Sequence, residues 1–109
     1  MERFHQLIRW KDFRAAGALI VPEKRTAFSR ARAALHDDRD LSITDYEIEE
    51  VQISEDGLRA TVHSRIQWMR LPSASEHTDM VASEFVFEGG AWMLESQDAG
   101  PFADELPAP

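Results

Sequence analysis

Three turn signals in the second half of the chain constrain its fold more than any other feature, because together they dictate a strand register. From Ser42 onward apolar and polar residues alternate, and the spacing predicts strands over 43–54, 58–71, 76–88 and 91–97. Asp56-Gly57 and Gly89-Gly90 are two-residue hairpin signals, since both central positions of such turns favour positive φ. Pro72-Ser73-Ala74-Ser75 reads as a four-residue hairpin loop. The last turn sets Phe87 opposite Trp92, Phe85 opposite Leu94 and Ser83 opposite Ser96. The middle loop sets Ile66 opposite Val81, Ser64 opposite Ser83 and Val62 opposite Phe85. The first sets Ile53 opposite Ala60 and Val51 opposite Val62. All three hairpins then place their apolar residues on one face, which a chance pattern would not do. A bulge near Glu49-Glu50 returns Ile48 and Tyr46 to that face.

The first half has helical periodicity. Residues 3–20 carry Phe4, Leu7, Ile8, Lys11, Ala15 and Leu19 on one stripe, with Trp10, Phe13, Gly17 and Ile20 beside it. Pro22 interrupts the pattern and suits the first turn of a second helix, predicted to run to Leu35 with Phe28, Ala31 and Leu35 inward. The polar run His36-Asp37-Asp38-Arg39-Asp40 reads as a solvated connector. The expected fold class is α+β, with two N-terminal helices packed on a curved four-stranded antiparallel meander. A length of 109 residues suits one domain, expected over 1–102, with 103–109 as a flexible C-terminal tail rich in proline.

Composition removes several function classes. Twenty Asp and Glu against 12 Lys and Arg give a net charge of −8, which argues against a nucleic-acid partner. The absence of Cys excludes thiol nucleophiles and Cys-held metals. His5, His36, His63 and His77 are too scattered for a metal spacing, so no metal or cofactor is expected. No apolar run is long enough to span a membrane as a helix. The chain begins Met1-Glu2-Arg3-Phe4 without the apolar stretch of an export signal. A native start at Met1 implies the cytoplasm, and a start after a removed signal implies the cell envelope or periplasm.

The segment Ile8-Arg9-Trp10-Lys11-Asp12-Phe13-Arg14-Ala15-Ala16, the run Ile43-Thr44-Asp45-Tyr46-Glu47-Ile48, Ala60-Thr61-Val62 and Gly90-Ala91-Trp92 carry a resemblance. With the two-helix-plus-meander order, the chain resembles the nuclear-transport-factor-2-like (cystatin-like α+β) superfamily, and within it a group of small proteobacterial proteins. That resemblance implies a cone between helices and sheet that binds small molecules in some members. It also implies dimerisation in many. It carries no catalytic signature, and its members span isomerases, dehydratases, cyclases and scaffolds.

Within that cone the predicted register aligns Ser64, Ser83 and Ser96 across three strands. With Trp10, Phe13 and Trp68 they form a candidate site for a small apolar ligand. The alternative is that the helices close the space and the hydroxyls bond locally. Asp79, set opposite Trp68 with Tyr46 on a neighbouring strand, is the candidate general base of a lyase or isomerase. On the other face His63 faces Glu84, and Arg59 faces Glu88. Thr61, Val86 and Met93 form a row there, with Met80 and Met69 nearby, a candidate surface for self-association. The leading reading is a non-catalytic binding or interaction module, homodimeric through that outer face and able to hold a small apolar ligand or a protein partner. The alternatives are the lyase or isomerase and a structural envelope protein.

Overall fold

The computed structural model describes residues 1–109. Helices α1 (Glu2–Arg9), α2 (Phe13–Gly17), α3 (Pro22–Ala34) and α4 (Asp37–Asp40) precede strands β1 (Leu41–Ile53), β2 (Arg59–Arg70), β3 (His77–Glu88) and β4 (Ala91–Gln97). The strands pair as an antiparallel meander in the order β1-β2-β3-β4. The fold is therefore α+β, with four helices rather than two.

The single helix expected over 3–20 is broken after α1. Lys11 takes a left-handed conformation with φ 62°, its amide bonds to Ile8 O, and the Asp12 amide reaches back to Leu7 O. These two bonds form a Schellman cap, which usually places glycine where Lys11 stands. Asp12 then starts α2, its Oδ1 accepting from the Ala15 amide at 3.2 Å. The break turns Trp10 outward, where it is 79% exposed. It turns α2 so that Ala16 and Gly17 are buried. Pro22 opens α3 as predicted, and α3 ends at a second left-handed non-glycine residue, His36, with φ 53°. The expected connector forms the single turn α4, and Asp37 within it is fully buried.

The β1–β2 register is as predicted, with Ile53 opposite Ala60 and Val51 opposite Val62. The bulge at Glu49 is present, and another lies at Thr44. Between β2 and β3 the register differs from the prediction by two residues: Ser64 faces Val81 and Ile66 faces Asp79. The connection differs too: Leu71 donates to Asp40 O at 2.9 Å, continuing the β1 pairing, and residues 71–76 join the strands in place of the expected four-residue loop. A slip of two leaves every side chain on its predicted face, whereas a slip of one would have reversed them. His63 consequently faces Ala82 rather than Glu84, and Arg59 faces Val86 rather than Glu88. The last hairpin turns through Gly89 (φ 59°) and Gly90 (φ 81°) and pairs Phe87 with Trp92 and Phe85 with Leu94. A register shift past Glu84 then sets Gln97, not Ser96, opposite Ser83.

The helices cover the inner sheet face. Phe4, Ile8, Ile20 and Phe28 meet Val62, Ile66, Phe85 and Leu94 in one buried cluster. Phe102 and Leu106 belong to it, both fully buried, which corrects the loose tail expected from 103. Ala103–Glu105 forms a 3-10 turn, and Leu106 O accepts from the Gln97 amide at 2.9 Å. The outer edge of β4 is closed by the α2–α3 connector: Leu94 donates to Leu19 O and Val21 donates to Leu94 O. The outer edge of β1 has no such cover.

Candidate functional site

The predicted serine row lies inside the core. Ser64, Ser83 and Ser96 are all buried, and none lines any of the four cavities of the molecule. Phe4, Ile8 and Phe28 belong to the core packed between helices and sheet, and the Ser64 and Ser83 hydroxyls are used locally. Gln97 Nε2 donates to Ser83 Oγ at 3.1 Å. His5 Nδ1 lies 3.3 Å from Met1 O, and its Nε2 lies 3.4 Å from Ser64 Oγ. A carbonyl only accepts, so Nδ1 carries the proton and Nε2 accepts from the serine. Burial, ahead of every other cause, holds the His5 imidazolium below its ordinary range. Neither His5 nor Gln97 was singled out for this row in the sequence. The helical stripe around Phe4 was the signal for His5, while Gln97 faces inward only because of the bulge.

The remaining predicted residues disperse. Trp68 and Asp79 do meet: the Trp68 indole N–H donates to Asp79 Oδ2 at 2.7 Å, across a diagonal of the sheet. His77 stacks on Trp68 at 4.4 Å between centroids. Tyr46 and Asp79 stand at one level of the sheet with buried Ile66 between them, and no cavity joins them. Burial, and then the charge of Glu2, hold the Tyr46 hydroxyl above its ordinary range, away from proton exchange near neutrality. Phe13 turns away from the sheet serines to meet Phe102 edge-on at 6.2 Å.

On the outer face Val86 is 5% exposed. Arg59 on β2 pairs with Glu95 on β4 at 2.6 Å, crossing β3 at the level of Val86. Thr61 and Met93 are half-buried, and the Thr61 hydroxyl donates to Glu84. Met80 alone of the predicted interface residues is strongly exposed, at 60%. The expected apolar row is therefore interrupted by charge.

The largest concavity lies elsewhere, between α1 and β1. It is an open groove of about 880 Å³ whose walls include Leu7, Arg9 and Trp10 from α1 and its cap, and Tyr46, Ile48 and Val51 from β1. The Schellman cap places the Trp10 indole at this groove, and the bulge at Glu49 brings Ile48 and Tyr46 to the same side. Arg9 holds the wall, donating to Thr44 O at 3.3 Å and pairing with Asp45 at 3.6 Å. The groove runs beside the uncovered β1 edge, where Val51 and Ile53 are also exposed.

A buried charge cluster anchors the opposite end. Both oxygens of Asp37 accept from Arg70, at 2.9 and 3.0 Å, and Arg32 Nε lies 3.0 Å from Asp37 Oδ2. Arg32 also pairs with Glu105 and lies over the Phe102 ring, 4.4 Å from its centroid. These contacts tie α3, α4, β2 and the C-terminal segment together. No group of His, Asp and Glu is arranged to hold a metal ion, and no helix is long and apolar enough to cross a membrane.

No protein-family model matches the chain, and no curated protein matches it in sequence. Among solved structures it is similar to the solution structure of a SEC-C motif containing protein from Rhodopseudomonas palustris, with a TM-score of 0.67 and 21% identity. The match covers 88% of this chain and 72% of that one, and at this identity the likeness shows the fold alone.

Proposed function

We propose that this chain is a non-catalytic binding module whose surface is the α1–β1 groove, and that its occupant is an extended peptide segment carrying an apolar or aromatic side chain. The observation that carries this reading is Trp10, 79% exposed at the groove beside an unpaired strand edge. Exposed indoles in concavities are the residues that most often dominate binding energy. An open β edge offers main-chain donors and acceptors to an added strand, and the groove takes its side chains. Helices followed by a four-stranded meander are what support the nuclear-transport-factor-2-like reading, with the ligand on the outside of the filled cone.

The lyase or isomerase reading has less support, because Asp79 is engaged by the Trp68 indole and lines no cavity. Homodimerisation through the outer face likewise rests on Met80 in place of a continuous row.

Peptides selected by display against the immobilised protein test the proposal. Their affinity, read by fluorescence anisotropy, is expected to fall at least about tenfold in Trp10→Ala, about 1.4 kcal/mol. Amide shifts on binding should map to α1 and β1. Peptides that bind Trp10→Ala as well as the parent, or whose shifts map to the outer sheet face, would overturn it.

A further inference from the structure

A second cavity, of about 520 Å³, lies between α2 and α3 on a different face of the helical layer from Trp10. Its walls include Phe13, Arg14 and Gly17 of α2, and Arg25, Ser29 and Arg32 of α3. Positions 25, 29 and 32 are spaced i, i+4, i+7, so they share one face of α3. Three arginines and a serine line the cavity and no carboxylate does, in a chain whose net charge is −8.

The three arginines are held differently. Arg25 Nε donates to Ile20 O at 2.8 Å and its Nη2 to Ala18 O at 3.1 Å. Neutral carbonyls thus fix its planar fork without cancelling its charge. Arg14 is exposed and pairs with nothing. The Arg32 side chain is only 5% exposed, and its Nη1 has no hydrogen-bond partner. Asp37 and Glu105 balance Arg32 and Arg70 within the buried cluster, so Arg14 and Arg25 leave the cavity with excess positive charge. Phe13 supplies one apolar wall. A neighbouring depression of about 500 Å³ shares Phe13, Arg14 and Arg32 and adds Lys11, together with Asp12 and Asp38. Asp12 is committed to the α2 cap.

We propose that the α2–α3 cavity is a binding site for a phosphate monoester, with Arg14, Arg25 and the Ser29 hydroxyl receiving the phosphoryl oxygens and Phe13 contacting the organic group. Arginine forks match the geometry of phosphoryl oxygens, and a pre-held fork loses little freedom on binding. The site is independent of the peptide groove and stands or falls separately from it.

The test is a titration of ¹⁵N-labelled protein with phenyl phosphate at constant ionic strength, beside a second titration with vesicles of phosphatidylcholine with and without phosphatidic acid. Saturable shifts of the amides of residues 13–18 and 25–32 are expected, with affinity falling at least about tenfold in Arg14→Gln and in Arg25→Gln. Arg30→Gln, on the same helix but not lining the cavity, should bind as the parent does. Arg14→Gln carries the test if Arg25→Gln disturbs the fold, since Arg14 makes no bond that the fold uses. Binding of phenyl phosphate supports a soluble ligand. Binding only of phosphatidic-acid vesicles, lost in Arg14→Gln, supports a lipid headgroup. No saturable binding of either probe below about 10 mM would overturn the proposal. Equal weakening by Arg30→Gln would also overturn it, because that is the mark of diffuse charge attraction.

Discussion

His5 shows how one residue couples burial to pH. Its ring is fully buried, between Phe4 and Tyr46, and is neutral in the bond pattern it makes. Burial lowers its folded-state pKa below the unfolded value of about 6.5. Below that value the unfolded chain binds a proton that the folded chain refuses, so the contribution is intact above about pH 6.5 and is lost as pH falls through that point. The parent is therefore expected to lose stability relative to His5→Gln on acidification, with a slope of at most about 1.4 kcal/mol per pH unit. Urea unfolding of both proteins between about pH 7.5 and 5 measures it, and parallel profiles would mean the ring titrates freely. The same residue was visible in the sequence only as one of four scattered histidines. Its position beside Phe4 marked a buried face, but no spacing links His5 to Ser64, 59 residues away.

At the scale of elements, the C-terminal segment departs most from the sequence reading. Gly100, Pro101, Pro107 and Pro109 suggest an irregular end, and the segment is irregular, but irregular is not loose. Phe102 meets Phe4, Phe13 and Phe28 edge-on at 6.4, 6.2 and 5.4 Å, and Leu106 is fully buried. Lys24 reaches the carbonyls of Glu95 and Pro107, and Arg32 holds Glu105. Leu106→Ala should accordingly cost about 2–5 kcal/mol in a urea titration, the range for a truncated core leucine. A loss under about 0.5 kcal/mol would mean the segment is a surface tail. Only three residues separate Phe102 from Leu106, too short a run for periodicity to declare a buried face. The break between α1 and α2 was hidden for a related reason. A cap that places lysine in the left-handed region carries no glycine to announce it, and the apolar stripe continues through Ala15 and Leu19.

Across the whole molecule the two sheet edges are treated unequally. The connector Leu19–Val21 brackets β4 with bonds of 2.7 and 2.9 Å, while the outer edge of β1 faces the groove and solvent. Hydrogen exchange should reflect this: the Leu94 amide is expected among the slowest to exchange, and the outward amides of β1 among the fastest of the sheet. Equal protection of both edges in the isolated protein would show that something already covers β1. On the open edge Glu47, Glu49 and Glu50 flank the bulge, and their like charges discourage pairing with a second copy of the strand. That charge disfavours a second copy there and leaves the edge to a partner of different sequence, which agrees with the peptide reading of the groove.

The alternating pattern, Asp56-Gly57 and the paired glycines of the last turn were enough to specify strand order, face assignment, the first hairpin register and the last one as far as Phe85 and Leu94, because these depend on local φ preferences and a period of two. The middle register slipped by two residues and still kept every face, since parity is what burial reads. Neither period nor turn chemistry reaches across the chain. The bond between Leu71 and Asp40, the closure of β4 by Leu19–Val21, the docking of Phe102 and Leu106, and the filling of the cone around Ser64 and Ser83 each join residues distant in sequence. Both candidate sites arise the same way: α1 meets β1, and α2 meets α3, through packing that local spacing does not encode.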